Sequence, residues 1–137
     1  MGYRSFILTL VLAIAAVAAH AAPTDPIRLE LNALENAEGH CRISFVIENK
    51  GNAPLETLQL ELALFNRDGI VQRLLAADMG PLRAAKTTVR SFTIDGSCDG
   101  VGSLLLNDVT ACAPGDANAC LERLALSSRV NDVRFYK

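Results

Sequence analysis

Few side chains in this sequence have the chemistry to catalyse anything. There are two histidines, His20 and His40, and His20 falls in an N-terminal segment that reads as a cleavable signal. His40 stands beside Cys41 at the start of an expected strand, so it reads as a turn residue rather than a general base. The serines, Ser127 and Ser128 included, have no base spaced to activate them. The carboxylate pairs Glu56 with Glu61 and Asp95 with Asp99 read as solvated charges, not as a glycosidase pair. No glycine-rich phosphate loop of the Walker or dinucleotide type is present. No catalytic residue and no cofactor is therefore assigned.

Two weaker constellations remain. Asp95-Gly96-Ser97-Cys98-Asp99-Gly100 imitates the first half of a calcium loop, with oxygens from Asp95, Ser97 and Asp99 and a glycine sixth. The twelfth position, where a bidentate carboxylate belongs, is Leu106, so the plain polar turn is preferred and no metal is assigned. Arg67, Arg73, Arg83 and Arg90 gather in sequence around two expected turns and form a candidate patch for an anion or a protein partner. The competing reading is of solubilising charges on strand faces. The chain as a whole has 13 basic against 15 acidic residues and no basic run longer than a pair, so it lacks the footprint of a nucleic-acid binder.

The elements that would position these residues begin after a removable segment. Arg4 precedes an apolar run from Phe6 to Ala19 broken only by Thr9, and Ala19-His20-Ala21 is a small-x-small site. That layout predicts a secretory signal peptide over residues 1–21, because the run is shorter than the roughly 20 residues that span a bilayer. Cleavage leaves roughly 116 residues and one basic residue fewer, hence a mildly acidic domain of residues 22–137, with no membrane span, in the periplasm or outside the cell.

In such a compartment Cys41, Cys98, Cys112 and Cys120 read as two disulfides. Three pairings are possible, and loop entropy separates them poorly: about 2.6 and 4.2 kcal/mol for 112–120 with 41–98, against about 3.0 and 4.5 kcal/mol for 98–112 with 41–120. Strand length is the better guide. Cys98 and Cys112 flank the expected strand Ser103 to Thr110, about 25 Å long, whereas bridged Cα atoms approach within about 7 Å. Cys112 and Cys120 flank a turn-rich loop. The expected pairs are Cys41 with Cys98 and Cys112 with Cys120.

Hydrophobic alternation then sets the fold class. Ile27, Leu29 and Leu31 share one face, as do Ile43, Phe45 and Ile47 after the Glu38-Gly39 turn. Leu58, Leu60, Leu62 and Leu64 alternate with polar or small residues; Leu and Glu favour helices, but apolar residues at every second position would smear around one. Asp68-Gly69 signals a hairpin into Ile70 to Ala76. Thr87 to Ile94 is rich in β-branched residues, Ser103 to Thr110 suits a central strand, and residues 119–130 suit either a strand or a short helix. About seven strands with regular turn signals predict an all-β, antiparallel, immunoglobulin-like β-sandwich stapled by disulfides.

Ile43 to Asn49 followed by Gly51, the leucine strand ending in Phe65-Asn66-Arg67-Asp68-Gly69, and Gly80-Pro81-Leu82-Arg83-Ala84-Ala85-Lys86 before Phe92 resemble the FxLYD and water-stress (WHy) type of immunoglobulin-like module. Alanines stand at 84 and 85 where a glycine is usual. The cysteine-framed whole is similar to a group of small exported alphaproteobacterial proteins. The resemblance implies an accessory or binding domain. The expected function is thus non-catalytic protein–protein contact by an exported domain, with sheet edges as the contact sites. The alternative is a periplasmic hydrolase or a small-ligand or calcium-binding protein, which would need a deep pocket with convergent polar groups.

Overall fold

The computed structural model describes residues 25–137 and, before them, Ala16 alone. The signal peptide expected over residues 1–21 lies outside the described residues except at that position. Among the described residues, eight strands form two four-stranded sheets. The first sheet contains β1 (Ile27–Ala37), β2 (His40–Asn49), β5 (Lys86–Asp95) and β7 (Leu124–Ser128). The second contains β3 (Thr57–Phe65), β4 (Val71–Asp78), β6 (Ser103–Ala113) and β8 (Arg134–Tyr136). Their orders are β5-β2-β1-β7 and β4-β3-β6-β8, so each sheet has two open edges.

The alternation read from the sequence is the alternation of burial. Leu58, Leu60, Leu62 and Leu64 of β3 are all buried and face Ile27, Leu29 and Leu31 of β1 and Ile43, Phe45 and Ile47 of β2 across the interior. Phe45 sits where the sheets meet, with ring centroids 6.1 Å from Phe92 and 5.5 Å from Phe135. Each such large side chain contributes roughly 1.5–3 kcal/mol on burial, and this core is what holds the sheets together.

Turn chemistry follows the same logic. Asn66 Oδ1 accepts from the backbone N–H groups of Asp68 and Ile70, fixing the β3–β4 turn, and Gly69 supplies the positive φ of 78° that the turn needs. Asn49 is the one buried polar residue among those described, and its amide is fully used: Nδ2 donates to the carbonyls of Ala53 and Arg83, and Oδ1 accepts from Gly51 N–H. That is the physical content of the Asn-x-Gly spacing.

Four of the six strand pairings are antiparallel; β7 joins β1, and β8 joins β6, in parallel. The stretch whose sequence suited either strand or helix is both. Asp116 caps a helix, α1 (Ala117–Arg123), by accepting from Ala119 N–H, and the chain then runs straight into β7. Strand β8 has only three residues, too few for alternation to announce it.

The cysteines pair as the strand-length argument favours. Cys41 of β2 bonds Cys98 in the 3₁₀ turn between β5 and β6, and Cys112 of β6 bonds Cys120 of α1. No helix among the described residues is long and apolar enough to cross a membrane.

Candidate functional site

The residues singled out in the sequence are dispersed in the structure. Arg67, in the β3–β4 turn, donates from Nε to the Asp99 carbonyl at 2.9 Å. Arg73 is exposed on β4 opposite Leu64. Arg83 is exposed in the loop before β5, and its carbonyl accepts from Asn49. Arg90 of β5 donates from Nη2 to the carbonyls of Gly80 and Pro81. Two of the four guanidiniums thus brace loops.

In the calcium-like stretch, Ser97 accepts from Asp99 N–H and its hydroxyl lies 3.1 Å from Asp99 Oδ2, capping the 3₁₀ turn. Asp95 lies 3.3 Å from His40 Nε2, both side chains being exposed, while His40 Nδ1 is 3.1 Å from the Glu38 carbonyl. These groups bond to one another, which is what a capped turn requires.

The feature with a surface of its own is the outer face of the second sheet. Register fixes which residues point outward. Leu74 of β4, Ala63 of β3, Leu105 of β6 and Tyr136 of β8 are successive cross-strand partners and form one apolar row across all four strands. The next row toward the β3–β4 turn is Val71, Phe65, Ser103 and Arg134. The row on the other side carries Ala76, Glu61 and Asp108, and beyond it lie Asp78 and Gln59. The face therefore has an acidic end, an apolar middle and a basic end.

Three of the four large hydrophobics with most exposure lie here or at the adjoining turn: Ile70 at 60%, Leu74 at 58% and Val71 at 51%. Their strand, β4, is a sheet edge whose outward backbone groups have no strand partner, with a bulge at Gln72 and the inner-register Arg73 to blunt it. Between β4 and the β5 edge of the first sheet lies an apolar slot of about 150 Å³, lined by Leu75, Ala77, Phe92 and Ile94 among others.

Charge is distributed just as unevenly. The four ion pairs among the described residues all involve the first sheet: Arg129–Glu30, Arg42–Glu35, Lys50–Glu48 and His40–Asp95. On the second sheet Glu61 accepts from Asn107, Asp108 from Val109 N–H and Asp78 from Gly80 N–H, and none has an ion-pair partner among the described residues. The Arg134 guanidinium lies 4.8 Å from the centroid of the Tyr136 ring, on the same face.

Of the carboxylates on the outer faces, Glu30 is held below its ordinary value. The hydrogen bond from Asn32 is the main cause; partial burial opposes it, and Arg129 adds to the lowering.

A third feature is an open groove of about 800 Å³ at the end of the sandwich, where the β3–β4 turn meets the loop before β8. Asn66, Arg67, Ser103, Asp132, Arg134 and Tyr136 contribute to it. Gly102 lets the chains approach here: its N–H donates to the Phe65 carbonyl, and a Cβ would collide with the Asn66 carbonyl oxygen. With guanidiniums, amides and a carboxylate, the groove suits reversible binding of polar groups.

The residues singled out for chemistry are not brought together among the described residues, whereas the outer face of the second sheet carries a continuous apolar row. No protein-family model, no curated protein and no solved structure matches the chain. Functional reading therefore rests on the residues of this chain alone. Phe65, Leu74, Leu105 and Tyr136 were not separable in sequence from core residues, since only the register of four strands shows that they point outward. The one local signal was the exposed hydrophobic pair Ile70-Val71 directly after the Asp-Gly turn.

Proposed function

We propose that the chain is an exported, non-catalytic binding or accessory domain that works through protein–protein contacts made by the β4 side of its second sheet. The observation that carries the reading is the concentration of exposed Ile70, Val71 and Leu74 on one edge strand and its adjoining turn. Scattered single apolar residues are ordinary on a protein surface, whereas a contiguous patch marks a contact site. Export is supported by the N-terminal sequence and by two disulfides with no free cysteine among the described residues, the pattern of an oxidising compartment.

The test is site-specific photo-crosslinking in the producing cell, with the probe at position 74 and, as control, at position 89, where Val89 is equally exposed on the first sheet. A discrete adduct at 74 and none at 89 supports the reading. Equal labelling at the two positions, or none at 74, defeats it.

The end groove supports a second reading, in which a small anionic ligand is held between Arg67 and Arg134. A ligand that binds the native state raises its melting temperature, so a panel of sulfated, phosphorylated and carboxylated small molecules tests it, and a flat response across the panel removes it.

A further inference from the structure

We infer that the outer face of the second sheet is self-complementary and that its occupant is a second copy of this chain. The inference rests on the contact-domain reading and names the partner. The central row of the face is Leu74, Ala63, Leu105 and Tyr136. One row to one side stand Glu61 and Asp108; one row to the other stands Arg134. Rows on one face are separated by two residues, roughly 6.6 Å along a strand, so the acidic and basic groups sit at about equal distances on opposite sides of the apolar row.

A two-fold axis running along that row lays apolar on apolar. It also brings Arg134 of each copy against the acidic row of the other, one strand across at Asp108. A C2 contact uses the same patch twice, and a surface with both signs placed in this manner complements itself.

The second observation is the state of those charges. Glu61, Asp78, Asp108 and Arg134 have no ion-pair partner among the described residues, whereas the first sheet pairs Glu30, Glu35 and Glu48 within its own fold. The Arg134 guanidinium also lies over the Tyr136 ring, 4.8 Å from its centroid, on the outer face where a carboxylate from outside can reach it.

Size sets the strength. Three strands about 4.8 Å apart over roughly 23 Å, with about 10 Å of β8 beside them, give a face of about 380 Å², or about 760 Å² for two copies. That is below the roughly 1,200 Å² at which standard stable complexes begin, so the association is reversible and micromolar or weaker.

The experiment is sedimentation equilibrium on the chain as the producing cell processes it, over low to high micromolar concentration. Four proteins are compared: the native chain, Leu74→Asp, Arg134→Glu and Asp108→Arg, with circular dichroism confirming that each is folded. The native chain is expected to shift from monomer to dimer with rising concentration. Each variant weakens the dimer by about tenfold or more.

A one-to-one mixture of Arg134→Glu and Asp108→Arg is expected to regain dimer. In the mixed pair both inter-copy contacts join opposite charges, while in either variant alone both join like charges. Failure of the native chain to dimerise at high micromolar concentration overturns the inference, as does a dimer that survives all three substitutions or a mixture that shows no rescue. A foreign adduct on a monomeric protein at position 74 overturns the second copy while leaving the contact-domain reading intact. Loss of crosslinking at 74 altogether defeats both.

Discussion

The two outer faces of the sandwich are built on the same number of strands and finished in different ways. On the first sheet, Ser44 meets Ser91 in a cross-strand hydrogen bond at 2.9 Å, Glu30 meets Arg129 at 3.0 Å, and threonines and serines fill much of β5. Neighbouring side chains satisfy much of that face. On the second sheet the middle is apolar and the charges are segregated to the two ends without ion-pair partners among the described residues. Both faces satisfy the requirements of folding, since the side chains that hold the sheets together point inward. The difference lies in what is left over for another molecule, which is why the second face, and not the first, is proposed for contact.

The comparison can be broken most severely by cutting what joins the two sheets. Cys41–Cys98 ties β2 of the first sheet to the turn that delivers the chain to the second, across a sequence separation of 57. Replacing both cysteines by alanine is expected to lower stability by about 4 kcal/mol, against about 2.6 kcal/mol for the pair Cys112 and Cys120, measured by denaturant unfolding. Equal losses would show that the longer loop is not what the first bridge constrains.

Asn49→Ala comes next. It leaves the Gly51 N–H and the Ala53 and Arg83 carbonyls without their buried partner, and about 2 kcal/mol is expected to disappear from the unfolding free energy.

The third change sharpens the contrast of faces directly. Leu74→Thr and Val89→Thr are each expected to alter stability by no more than about 0.5 kcal/mol, because both side chains are exposed. Retention on a hydrophobic-interaction column should fall clearly for Leu74→Thr and little for Val89→Thr. The opposite order would place the sticky face on the first sheet.

The smallest effect belongs to the first face. Glu30 titrates below its ordinary 4.5 in the folded chain, so its stabilisation is present above that pH and is lost as pH falls through the lowered value. Glu30→Gln should therefore cost under about 0.5 kcal/mol at neutral pH, and the gap from the native chain should close in acid. A gap that widened on acidification would reverse the sign of that reasoning.

Much of this architecture is legible in the sequence because local physics controls it. The period-two leucines of β3, the Asn66 and Gly69 turn and the cysteine pairing follow from strand geometry and turn chemistry acting over a few residues. Ala85 holds a left-handed φ of 52°, a conformation that glycine adopts without strain. Ala85→Gly is thus expected to stabilise the loop by up to about 1 kcal/mol in thermal unfolding.

The outer face of the second sheet is not legible in that way. Its rows join residues from four separate strands, and bulges at Gln72, Asn107 and Thr110 shift the in-and-out parity within a strand. Alternation counted along β6 alone mixes Leu104 and Leu106, which are buried, with Leu105, which points out. The parallel seating of β7 and β8 likewise depends on where the chain crosses between sheets, which no local pattern encodes.

That late seating has a consequence for how the molecule comes into being. The last strand of each sheet is drawn from residues 124–136, and Lys137 Nζ then reaches the carbonyls of Leu121 and Leu124 at 2.7 Å. Phe135, which packs on Phe45 at the centre of the core, arrives with them. A chain threaded through a narrow pore from its N-terminus would hold two incomplete sheets until residues 124–136 had emerged. Its closing contacts, among the most distant in sequence, would form only on the far side.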